Sequence, residues 1–143
     1  MRRSSLLVVA VVVASFGLMM LVRDASAADR LEDTKWKVKV TPDGEASRAG
    51  QKEVDDTLVF KAATFASTAW AKHGFKPVSY EDDTRGAPGG MQGFTAEATS
   101  EKEGKTKWMG TAAADQISGE MTWVKKDGTE LHYTFRGERL PQK

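Results

Sequence analysis

Lys35-Trp36-Lys37-Val38-Lys39-Val40 alternates without a break, with Trp36, Val38 and Val40 on one face and three lysines on the other. Successive side chains of a strand point to opposite sides, so a period of two marks a half-buried strand. Near the other end of the chain, Glu130-Leu131-His132-Tyr133-Thr134-Phe135-Arg136 alternates in the same way and predicts Leu131, Tyr133 and Phe135 inside. Between them, 93–100 sets Phe94, Ala96 and Ala98 against Thr95, Glu97 and Thr99. Residues 105–112 set Thr106, Trp108 and Gly110 against Lys105, Lys107 and Met109. Residues 117–125 group Ile117, Gly119, Met121 and Trp123 against Ser118, Glu120 and Thr122.

Turn chemistry falls between these runs. Asp127-Gly128 predicts a hairpin, because Asp-Gly tolerates the positive φ angles of a type I′ turn. Glu103-Gly104 and Asp115-Gln116 mark two more connections, and 41–53 is a polar loop with a short helical turn around 45–50. In the middle, 57–62 is a strand with Leu58 and Phe60 inside, followed by strands over 64–72 and 75–81. The segment 61–71 is Ala-rich and admits a helix, but its Thr64, Phe65, Thr68 and Trp70 favour a hairpin. Residues 81–92 hold Pro88 and three glycines and form an irregular loop.

The result is an all-β chain of eight short sequential strands, each with one apolar face. Closing the sheet removes its two exposed edges, so a small eight-stranded antiparallel up-and-down barrel is the expected fold. A two-sheet β-sandwich is the alternative.

The first-strand Trp36, the eight-strand meander and a late Arg (Arg136 or Arg139 in Tyr133-Thr134-Phe135-Arg136-Gly137-Glu138-Arg139) resemble a lipocalin-like, calycin-type barrel protein. The resemblance covers about 30–140 and implies that Trp36 packs near one of those arginines at the closed end of the barrel. Position 34 is Thr where that superfamily usually has Gly. The resemblance transfers architecture and names no ligand.

Trp36, Phe60, Phe94, Trp108, Met121, Trp123, Tyr133 and Phe135 all fall on the inward face and are the candidate ligand-lining residues. An eight-stranded barrel is just wide enough to be filled by its own side chains or to hold one small molecule. Bulky aromatics argue for a filled interior. Ala96, Ala98, Gly110 and Gly119 argue for room beside the rings.

Other chemistries find little support. His73 and His132 are the only histidines, one in a turn and one on a polar face, with no base–nucleophile or metal-ligand pattern around them. Asp55-Asp56 and Glu81-Asp82-Asp83 lack the spaced calcium-loop pattern and are expected to be solvated loop charge. Gly86-Ala87-Pro88-Gly89-Gly90 lacks the Lys-Ser/Thr and the helix of a phosphate loop. It is expected to form, with 41–53, the lips of the barrel mouth. Lys35, Lys37, Lys39, Lys105 and Lys107 form basic rows suited to a solubilising outer face. No catalytic residues, metal ligands or cofactor are assigned.

Composition bounds the rest. The chain has 143 residues, enough for one domain, and a net charge of +1, which gives no electrostatic case for nucleic acid. Zero Cys excludes disulfides, thiolate metal sites and a cysteine nucleophile. Met1-Arg2-Arg3, the apolar run 6–22 and Ala25-Ser26-Ala27 have the form of a secretory signal peptide. Residues 1–27 are therefore expected to form a signal helix cleaved after Ala27, with 28–143 as a single barrel domain. An uncleaved single-span anchor is the alternative. The leading expectation is an exported, non-enzymatic barrel, periplasmic or secreted, with a small apolar or amphipathic ligand and no membrane span after cleavage. The competing one is a filled barrel acting through its surface as an envelope interaction module or an inhibitor of a secreted enzyme.

Overall fold

Residues 31–83 and 91–141 are described by the computed structural model. The expected signal helix over 1–27 and residues 84–90 of the glycine-rich connection lie outside the described residues. In chain order the elements are β1 (Thr34–Pro42), α1 (Gly44–Arg48), β2 (Val54–Lys61), β3 (Thr64–Ser67), α2 (Thr68–Ala71), β4 (Val78–Asp82), β5 (Gln92–Ser100), β6 (Gly104–Ala113), β7 (Gln116–Val124) and β8 (Glu130–Arg139). Each strand pairs antiparallel with the next, and β8 pairs with β1, so the sheet is a closed barrel. The sandwich alternative falls.

Alternation sets the register. Trp36 lies opposite Leu58 on β2, Trp108 opposite Met121 on β7, and Met121 opposite Tyr133 on β8. Shifting any of these pairings by one residue would turn a whole apolar set outward, so the buried face fixes the pairing. The seam between β3 and β4 is the shortest, with only Thr64 opposite Ser79 and Phe65 opposite Val78.

Strand directions sort the connections. One end carries the 43–53 segment with α1, the 68–77 segment with α2, and the 101–103 and 125–129 turns. The other end carries the 62–63 and 114–115 connections, the starts of β1 and β5 and the ends of β4 and β8. An up-and-down meander forces this, because connections of odd and even rank alternate between the ends. The 43–53 segment, expected as one lip of the mouth, thus lies at the end that carries α1 and α2; residues 84–90, expected as the other, lie outside the described residues.

Two local expectations also change. The 64–72 stretch is not one strand: β3 stops at Ser67, whose hydroxyl accepts the backbone N–H of Trp70 and starts a one-turn helix. At Asp127-Gly128 only Gly128 has positive φ, +92°. Its N–H donates to the Lys125 carbonyl, and Lys125 N–H donates to Thr129. The hairpin is there, but its loop is wider than a two-residue type I′ turn, which needs positive φ at both central residues.

The acidic pairs are not loop charge either. Asp55 and Asp56 lie in β2, and Glu81 and Asp82 in β4. Asp56 is only 4% exposed, because strand alternation turns it to the same side as Leu58 and Phe60.

Candidate functional site

Every candidate lining residue points into the barrel, and none of the eight is more than 5% exposed. Their rings touch one another. Phe60 meets Phe94 edge-on at 4.9 Å, and Phe94 reaches Phe135 at 6.4 Å. Trp108 stands 5.5 Å from Phe135. Edge-to-face pairs add about 0.5–1.5 kcal/mol each beyond the burial of their area. Trp36 stands apart at the other end of the barrel, where the Arg139 guanidinium lies 5.8 Å from its ring centroid. Of the two late arginines, Arg139 is the one that covers it.

The small inward residues do not leave the room they suggested. Gly110 and Gly119 face each other across β6 and β7. A Cβ on Gly110 would come within 2.8 Å of Phe135 Cζ, and one on Gly119 within 2.7 Å. The Phe135 ring occupies the space the glycines vacate.

The residue that sequence reading missed is Trp70. It is delivered from α2, not from a strand, and is 3% exposed. Its ring meets Trp108 at 5.8 Å, Trp123 at 6.0 Å and Tyr133 at 5.5 Å, each nearly perpendicular. Trp70 therefore closes the α1–α2 end of the barrel and gathers three of the eight candidates around itself.

A small polar latch holds the helix that carries it. The Asp56 carboxylate accepts the N–H groups of Ala69 at 2.8 Å and of Thr57 at 2.7 Å, and the hydroxyl of Ser67. Burial pushes the Asp56 carboxyl above the usual carboxylate range, against the pull of those hydrogen bonds. Tyr133, on the far side of Trp70, donates its hydroxyl to Gln51 Oε1 at 3.0 Å, and burial pushes its pKa up to about 12.

The indole N–H groups separate Trp70 from its neighbours. Trp36 donates to Thr34 Oγ1, Trp108 to Thr106 Oγ1 and Trp123 to the Glu103 carbonyl. Trp70 Nε1 is buried with no partner among the described residues. Thr68 stands two residues before it, as Thr34 and Thr106 do before their tryptophans. In a strand that spacing puts hydroxyl and indole on one face; in a helical turn it does not, and Thr68 is exposed. An unmade buried hydrogen bond costs about 1–3 kcal/mol.

The remaining candidates are surface features. His73 lies in the turn after α2, 3.9 Å from Glu103 Oε1, and His132 lies on the outer face of β8, 3.5 Å from Glu130 Oε1. Lys39 pairs with Glu53 and Asp55, and Lys105 and Lys107 pair with Glu97, so these lysines of the basic rows face acidic neighbours. Met109, 61% exposed at the centre of β6, is the one large hydrophobic residue exposed among the described residues. It shares a shallow outer recess with Thr95, Glu97, Lys107, Glu120 and Thr122. Among the described residues, no group of three or more His, Asp or Glu is placed to hold a metal ion.

The fold and its aromatic interior define a closed eight-stranded antiparallel barrel, compatible with a lipocalin-like architecture. Comparison with family models, curated proteins and solved structures gave no match to this chain.

Proposed function

We propose that this chain is an exported, non-enzymatic barrel of lipocalin-like type that binds a small apolar or amphipathic molecule at the end closed by Trp70. One observation carries this reading. The ring in the middle of the aromatic cage belongs to a four-residue helix, and not to the barrel wall. Interior residues on strands are held by the ladder on both sides. Trp70 is held instead by Ser67 and Asp56 at its helix start and by the His73 N–H on its carbonyl, beside the seam with only two paired positions. An outward swing of α2 vacates an indole-sized space without breaking a strand pairing, and apolar cavities of about 150 Å³ accept benzene-sized molecules. The basic, apolar and small-residue segments of 1–27 support export.

The tight ring packing of the interior and the exposed Met109 support a second reading, a filled barrel that acts through its outer face as an envelope interaction module or an inhibitor of a secreted enzyme. Native mass spectrometry of the protein isolated from its own compartment, beside its denatured mass, separates the two. A discrete small-molecule increment supports the binding reading. A bare native mass that persists after incubation with fatty acids and isoprenoids overturns it and leaves the surface reading, for which co-purification of a protein partner is the test.

A further inference from the structure

Among the described residues, the unmet demand inside the barrel is a single donor. The other three indole N–H groups have acceptors, and the buried hydroxyls of Thr34, Ser67 and Thr106 and the Gln92 side chain are all engaged. A guest that brought an acceptor would find Trp70 Nε1 waiting. Charge narrows the class further. The Asp56 carboxylate sits at the start of the same helix, bonded to Ala69 N–H next to Trp70, and repels an anion.

Resting on the binding reading above, we infer that the ligand of this site is a flat, non-anionic aromatic or conjugated molecule with one hydrogen-bond acceptor, held by the Trp70 indole N–H. Trp70 then serves as one wall of the occupied site, tilted with α2, and its N–H gains the partner it lacks in the closed barrel. Shape complementarity comes from Trp108, Trp123 and Tyr133, which present ring faces and edges to a flat guest.

Acetophenone and cumene provide the test, because they have the same size and differ in whether the branch is a carbonyl or a methyl. The full chain is titrated with each, in wild type and in Trp70→Phe, which keeps an aromatic ring and removes the donor. The ratio of acetophenone to cumene affinity should fall about tenfold in the variant, the worth of one buried hydrogen bond. In the wild type, without any variant, acetophenone should move the Trp70 indole proton resonance downfield, and cumene should not. If both probes bind with an unchanged ratio and no downfield shift, the acceptor inference is overturned while the binding reading stands. If neither probe binds, the inference of an aromatic acceptor ligand is overturned, and the native-mass experiment above decides the binding reading.

Discussion

Arg139 lies over the ring of Trp36, and the two residues are also opposite each other in the register that joins β8 to β1. The contact sits where the chain's last strand closes on its first. The Arg139 N–H donates to the Asp115 carbonyl, and the next residue, Leu140, donates to the Lys35 carbonyl. The backbone thus holds the arginine in place, and the guanidinium covers an indole that is otherwise at the end of the core. Arg139→Ala should cost about 0.5–1 kcal/mol, the worth of an exposed cation–π contact. Trp36→Ala should cost about 3–5 kcal/mol, because it empties a core position. Urea denaturation measures both, and equal losses would show that the arginine does more than cover the ring.

Ala62 and Ala63 form the turn between β2 and β3 with φ of +54° and +63°. An L-residue in that conformation costs about 1–2 kcal/mol, which Asn and Gly largely avoid. Glu32 accepts the Ala63 N–H at 3.1 Å and the Tyr80 hydroxyl at 2.9 Å, so a side chain from before β1 helps to hold the turn. Replacing Ala62→Asn together with Ala63→Gly should raise stability by about 1–2 kcal/mol. The urea midpoint should rise with the slope unchanged. A fall in stability would mean that the alanine methyl groups do packing work in this turn.

These turns show what was legible in the sequence and what was not. Faces were legible: Trp36, Phe94, Trp108, Trp123 and Phe135 are all buried where alternation put them. Closure was legible because closing a sheet of eight one-faced strands removes both of its exposed edges. The plug was not, because Thr68–Ala71 is a single helical turn with no period to read, and the carboxylate that caps it is Asp56, more than ten residues earlier on another strand. Ser67 before Thr68-Ala69-Trp70 is an N-cap signal of the usual kind, but only the distant acid makes it decisive. Asp56 looked like solvated charge for the same reason. Its partners are three-dimensional, and its neighbour Asp55 does face water.

Gly119 tests whether the interior is as full as its rings indicate. A Cβ there would meet the Met109 carbonyl at 2.2 Å as well as Phe135 Cζ at 2.7 Å. Gly119→Ala should therefore destabilise the barrel by about 1–3 kcal/mol, the usual cost of overpacking. Adding Phe135→Leu should not rescue it, since the carbonyl belongs to the neighbouring strand and cannot leave without opening the ladder. Full rescue would place the crowding in the ring alone.

Asp56 makes a prediction about pH whose sign is opposite to ordinary acid unfolding. Burial raises its carboxyl in the folded protein, so the folded chain holds that proton more tightly than the unfolded chain does. Its contribution to stability is therefore fully present below the ordinary carboxylate pKa and is lost as pH rises through the raised value. Once ionised, the buried carboxylate works against folding. Lys37, Lys72, His73 and Asp55 line the recess around it, yet none of them forms an ion pair with its oxygens within the contacts described. Asp56→Asn keeps an oxygen to accept the Thr57 and Ala69 N–H groups and removes the charge. Urea unfolding of wild type and variant should converge in acid and separate as pH rises, with the variant gaining on the wild type above the ordinary carboxylate pKa. A variant that instead loses ground over that range would show that the ionised carboxylate, through its bonds from Ser67 and Ala69 at the start of α2, holds the helix more strongly than burial opposes it.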